Sequence, residues 1–177
     1  RNGRKRGGCM TTEAAGNGLP SGAFIGRETF RDLVRSALAC AAQEGWRELV
    51  LCDASFHDWP LGDRACVDAL NVWARPGGRQ LTMLAHGYDE VVRQHARFVA
   101  WRGQWAHRID CRVCAAADAH DLPSALWSPH WSMQRLDTLR SSGVSGTEPD
   151  RRQLLRELID QWLGRSTAGF PATTLGL

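Results

Sequence analysis

The pattern of apolar residues predicts a single α/β domain. Its sheet is expected to be mixed but mainly parallel, with helices on both faces. Three observations carry this. Short apolar runs alternate with longer stretches of helical period through the first two thirds of the chain. The 177 residues are the size of one ordinary domain, long enough to bury a core without a metal or disulfide. Apolar residues make up 43% and charged residues 23%, a globular balance.

The elements follow in order. Ala23-Phe24-Ile25 reads as a short first strand between two glycines. Phe30, Leu33, Val34, Ala37, Leu38 and Ala41 form one helical stripe over about 27–43, with Gly45 as its stop. Leu49 to Cys52 is a strand covered on both faces. Asp63 opens a second helix with Cys66, Ala69, Leu70 and Trp73 on its buried side, ended by Pro76-Gly77-Gly78. Leu81–Ala85 is the third strand, and Tyr88 to about Trp105 the third helix, with His95 a half-buried residue of its stripe. Strands are expected near 109–114, 122–127 and 131–136. A polar Ser/Gly loop spans 138–149, and a last helix carries Leu154, Leu155, Leu158, Ile159, Trp162 and Leu163.

Charge alone is a poor guide. The chain is formally +3, but Arg1, Arg4, Lys5 and Arg6 precede Met10; without them 18 basic residues face 19 acidic ones, a balance of −1. Residues 1–21 read as a mobile tail, with 1–9 upstream of a natural start at Met10. Nucleic acid is accordingly set aside as a main partner. A minor alternative keeps a nucleic-acid-associated role for the third helix, where Arg93, Arg97, Arg102 and Arg108 interleave with Trp101 and Trp105. No apolar run suits a membrane span or a signal segment. Scattered cysteines in apolar surroundings fit a reducing cytoplasm.

Several residues are candidates for chemistry. On a strand, residues i and i+2 share a face, so His130 and Ser132 are expected to look into one pocket. A neutral histidine there can attack phosphorus while a neighbouring cation holds the phosphate oxygens. His57 and Asp58, and also His86, follow predicted parallel strands, where open α/β sheets bind ligands. His107, Cys111, Cys114 and His120 are zinc-capable types in sequence. Cys111 and Cys114 are an odd number of residues apart on a strand and should face opposite sides, so neither a metal nor a cofactor is expected. Gly-rich phosphate loops and dinucleotide fingerprints are absent.

The spacing His130-Trp-Ser132-Met-Gln-Arg-Leu-Asp137 resembles the phospholipase D-type motif: His, Lys two residues on, then Asp five further, with a Gly-Ser element beyond. His130 and Asp137 are kept, Gly143 and Ser145 stand near the Gly-Ser place, and Ser132 replaces the lysine. The order of elements over 23–177 also resembles one half of a phospholipase D-like fold, of the kind found in small proteobacterial proteins. The residues that carry this are Phe30–Ala41, Leu49–Cys52, Leu70-Asn71-Val72-Trp73, Leu81–Ala85 and Gln161-Trp162. Active members of that family bring two His-Lys-Asp sets together, by duplication or by dimerisation. The resemblance therefore implies a homodimer. It also implies a catalytically silent domain that binds a ligand, with a phosphate-containing compound in the remnant pocket, or serves assembly. An alternative is a phosphodiesterase using His130, with Arg135 or a partner's arginine in place of the lysine. Arg135, three residues after Ser132, should face the other side of the strand.

Overall fold

The computed structural model describes residues 18–115 and 117–170; the basic segment and Met10 lie outside the described residues. Leu19 is buried, and the Pro20 carbonyl accepts hydrogen bonds from Trp131 Nε1 (3.0 Å) and Ser145 Oγ (3.0 Å). The last residues of the expected tail are thus tied to the domain.

The order is β1 (Gly22–Phe24), α1 (Arg27–Glu44), β2 (Glu48–Cys52), α2 (Arg64–Ala74), β3 (Gln80–Ala85), α3 (Asp89–Gln94) and α4 (Ala96–Gln104). There follow β4 (Ile109–Val113), β5 (Ser124–Trp127), β6 (Ser132–Asp137), β7 (Ser142–Gly146), α5 (Pro149–Leu163) and β8 (Thr167–Ala168). The described strands form one mixed sheet in the order β1-β7-β6-β5-β2-β3-β4-β8.

Only the pairs β2–β3 and β3–β4 are parallel; every other pairing in the sheet is antiparallel. The expectation of a mainly parallel sheet is corrected accordingly. Parallel neighbours need a crossover of a dozen residues or more, and the helices join strands that are also sheet neighbours only from β2 to β3 and from β3 to β4. The links β5–β6 and β6–β7 are four residues each, short enough only for antiparallel turns.

The expected loop at 138–149 contains a strand, β7. Its sequence, Ser-Gly-Val-Ser-Gly, is poor in strand formers. Pairing with β1 and β6 overrides that preference, and Gly143 fits because a Cβ there would meet the Gln134 carbonyl oxygen at 2.0 Å. The expected third helix is two helices, broken at His95 (φ −120°, ψ 53°).

Helices cover both faces. The predicted α1 stripe is buried in full and packs, with α2 and α4, on Leu49, Leu51, Leu81 and Met83. On the other face Leu155 and Ile159 of α5 cover Val50, Cys52, Leu84 and Ala125. Each such large aliphatic side chain contributes about 1.5–3 kcal/mol of burial. The sheet presents two working edges: a carboxyl edge where β2, β3, β4 and β6 end, and an amino edge where they begin.

Candidate functional site at the carboxyl edge

From β2 the chain moves outward through β3 to β4, then returns to place β5 on the other side of β2. Such a reversal opens a crevice at the strand ends, where α/β sheets bind ligands. A cleft of about 1120 Å³ lies there. One wall carries Asp53, Asp58, Glu90 and His57, the other Leu122, Leu136, Leu139 and Leu158.

Arg135 is at its centre. β6 pairs with β5 so that Arg135 lies opposite Ser124, on the α1 side of the sheet. Its Nε donates to Ser124 Oγ (2.9 Å) and Nη2 to Asp53 Oδ1 (3.1 Å); Nη1 donates to Asp58 Oδ2 (3.2 Å) and Ser141 Oγ (3.3 Å). The guanidinium lies 4.1 Å over the Phe30 ring. Its side chain is 2% exposed, so the cation is buried and its polar edges are engaged. Asp58 also meets Arg27 at 3.4 Å.

Asp53 shapes the loop after β2. Its Oδ2 accepts the backbone N–H of Ser55 (3.1 Å) and Phe56 (2.8 Å). Phe56, fully buried, is held at φ 58°, a conformation uncommon outside glycine. His95 clips the same loop. Gly62 N–H donates to Nδ1 (3.1 Å) and Nε2 faces the Phe56 carbonyl (3.0 Å), the pattern of a neutral ring protonated on Nε2.

The candidate residues separate. His57 and Asp58 line the cleft; His57 Nδ1 meets Gln94 Nε2 (3.0 Å) and Glu90 Oε2 (3.5 Å). Asp137 also lines it, but its Oδ1 accepts the N–H groups of Leu139 (3.0 Å) and Arg140 (3.1 Å), starting the turn into β7. His86 sits at the end of β3 outside the cleft lining, with Nδ1 donating to the Cys114 carbonyl (3.3 Å). His130 is at the amino edge, exposed, with its ring stacked on Trp46 (5.6 Å, 30°).

The expected shared pocket of His130 and Ser132 does not form. β6 starts only at Ser132, so His130 belongs to the preceding turn. Seven residues of near-extended chain place His130 and Asp137 about 20 Å apart. Ser132 is buried, Gly143 packs on the β6 backbone, and Ser145 is bonded to Pro20. None of the three lines the cleft.

Cys111 and Cys114 face opposite cores, and among the described residues no group of three or more His, Cys, Asp or Glu is arranged to hold a metal. Burial pushes the Cys111 thiol up to about 11 and Cys66 up to about 12. The four arginines of the minor nucleic-acid alternative have different surroundings. Arg93 is paired with Glu90, Arg97 donates to the Gly62 carbonyl, Arg102 is buried, and Arg108 stands at the amino edge. The break at His95 turns the two halves of the expected helix apart.

Sequence reasoning placed Arg135 on the right side of its strand but missed its central role. The available signal was an arginine between apolar positions of a half-buried strand, which requires an acidic partner.

No family of known proteins matches the chain, and no curated protein matches it. Among solved structures it is similar to TrmBL2, an archaeal chromatin protein whose structure is described as showing a novel mode of DNA binding. The TM-score is 0.61 at 14% identity, over 90% of this chain and 57% of that one. The chain thus spans little more than half of TrmBL2, and the likeness is one of fold. Among the described residues no helix is long and apolar enough to cross a membrane.

Proposed function

We propose that this is a phospholipase D-like domain that binds and assembles without hydrolysing phosphodiesters. One observation carries the reading: His130 and Asp137 stand at opposite edges of the sheet, and Arg135 is held by Asp53 and Asp58. A phosphoryl group at either edge would meet only half of the required machinery. The cleft is the ligand seat. Its lining holds five carboxylates, of which Asp53, Asp58, Glu90 and Asp137 are met by Arg135, Arg27, Arg93 and Arg140, so the arginines there are engaged and a hydrogen-bond-donating ligand with an apolar part fits better than a phosphate.

Hydrolysis of bis(p-nitrophenyl) phosphate tests the catalytic half. The expected result is no turnover above buffer. Turnover that disappears in His130→Ala would restore the phosphodiesterase reading.

The assembly half rests on Leu154, exposed on α5 one turn before Leu158, whose side chain lines the cleft with the exposed Leu136 and Leu139. A second copy is the proposed occupant. An antiparallel approach of two α5 helices about Leu154 sets Arg151 of one copy opposite Glu157 of the other, a complementary pair. Light scattering should give a dimer that Leu154→Asp dissociates; a monomer at every concentration would remove this half of the proposal.

A further inference from the structure

The amino edge, opposite the cleft, carries a row of arginines without acidic partners. Arg47 precedes β2, Arg79 precedes β3 and Arg108 precedes β4, while Arg75 follows the last turn of α2. Register sets them side by side. Glu48 pairs with Gln80 and Leu81 with Ile109, so Arg47 stands beside Arg79 and Arg108 beside Gln80. Each step along the edge is about 4.8 Å.

Among the described residues none of these four arginines forms a salt bridge. Arg47 and Arg75 are exposed. Arg79 donates from Nη1 to the Trp73 carbonyl (2.9 Å), and Arg108 Nε is buried without a hydrogen-bond partner. Among the acids at this edge Glu48 is held by Arg156 and Glu148 by Arg151, Glu44 accepts from the neutral Trp46 Nε1 (2.8 Å) and keeps its charge, and Asp110 and Asp150 are exposed. Histidine rings packed on indoles flank the row: His107 beside Trp105 (5.8 Å) and His130 on Trp46 (5.6 Å).

We infer that the amino edge binds the sugar–phosphate backbone of nucleic acid. Arginine forks match phosphate oxygens in a way that ammonium groups do not. Unpaired cations in a row repel one another, and a polyanion relieves that repulsion. The flanking rings offer faces for sugars or bases. The exposed leucines needed to enter a bilayer lie elsewhere, at Leu136, Leu139, Leu154 and Leu158. The site is independent of the cleft, so it stands or falls apart from the cleft's ligand.

The test is fluorescence anisotropy of the full chain with a labelled duplex and a labelled single strand of about 20 nucleotides, from about 50 to 300 mM salt. Arg47→Glu with Arg75→Glu removes the two exposed arginines; circular dichroism and thermal unfolding check the fold. A second variant, with Arg1, Arg4, Lys5 and Arg6 changed to Gln, removes the basic segment. The expected result is an affinity loss of about tenfold or more in the edge variant, with the salt slope on duplex falling by about 2. Arg47→Lys with Arg75→Lys should recover part of it. Whichever probe binds more tightly identifies the backbone form. No binding to either probe at the lowest salt overturns the proposal. So does unchanged affinity in the edge variant with loss in the tail variant.

Discussion

At the carboxyl edge each arginine that meets a cleft carboxylate is held by it: Arg27 and Arg135 at Asp58, Arg93 at Glu90, Arg140 at Asp137. At the amino edge Arg47 and Arg75 are exposed and Arg79 partly so, and among the described residues none of the three forms a salt bridge. The same residue type therefore does two jobs. Buried and engaged, Arg135 joins β6 to the loop after β2 and closes the floor of the cleft. Exposed and unpaired, the amino-edge arginines have little structural work and remain free for a partner. A buried cation matters to stability through what its removal strands, whereas an exposed one matters only through what it can attract.

This contrast can be tested directly in urea. Arg135→Ala leaves Asp53 and Asp58 facing an empty site, and should cost about 3–5 kcal/mol. Arg47→Ala should stay within about 0.5 kcal/mol of the parent. Similar losses at the two positions would erase the distinction between the edges.

A smaller effect sharpens it. The buried thiols Cys66 and Cys111 are raised from the ordinary 9.0 to about 12 and about 11, chiefly by burial. A group whose value is raised by folding stabilises fully below its unfolded value and loses that contribution as pH climbs toward the folded one. Stability should therefore hold up to about pH 9 and fall above it, each thiol losing about 1.4 kcal/mol per pH unit until its folded value is reached. Urea midpoints at rising pH read this. A Cys66→Ala, Cys111→Ala protein should show a shallower fall. An equal fall in both proteins would place the alkaline sensitivity at the other groups that burial raises, Cys40, Cys52 and Tyr88.

Much of the fold was legible because it depends on local pattern. The α1 stripe from Phe30 to Ala41, the run Leu49–Cys52 and the run Leu81–Ala85 each name their element by period and length alone. β7 was not legible. Ser142 to Gly146 has Val144 as its one strand former and no alternation, and it is a strand only because β1 and β6 lie on either side to pair with it. His95 looked like one more position on a helical stripe, and only its backbone angles in the fold show it as the joint between two helices, with its ring bonded to Gly62 and Phe56.

The site divides in the same way. The sequence by itself determined that polar residues follow the parallel strands. His57 and Asp58 line the cleft because loops at carboxyl ends of strands converge whatever their composition. It also determined the helical stripes, the apolar strands and a near-neutral balance of charge beyond the first nine residues. Tertiary structure alone decided which charges meet. A sum over the chain reports no excess, yet strand direction sends Asp53, Asp58 and Asp137 to one edge and Arg47, Arg79 and Arg108 to the other. It likewise carried His130 away from Asp137, because a spacing of seven residues means proximity in a helix or a turn and about 20 Å along a strand.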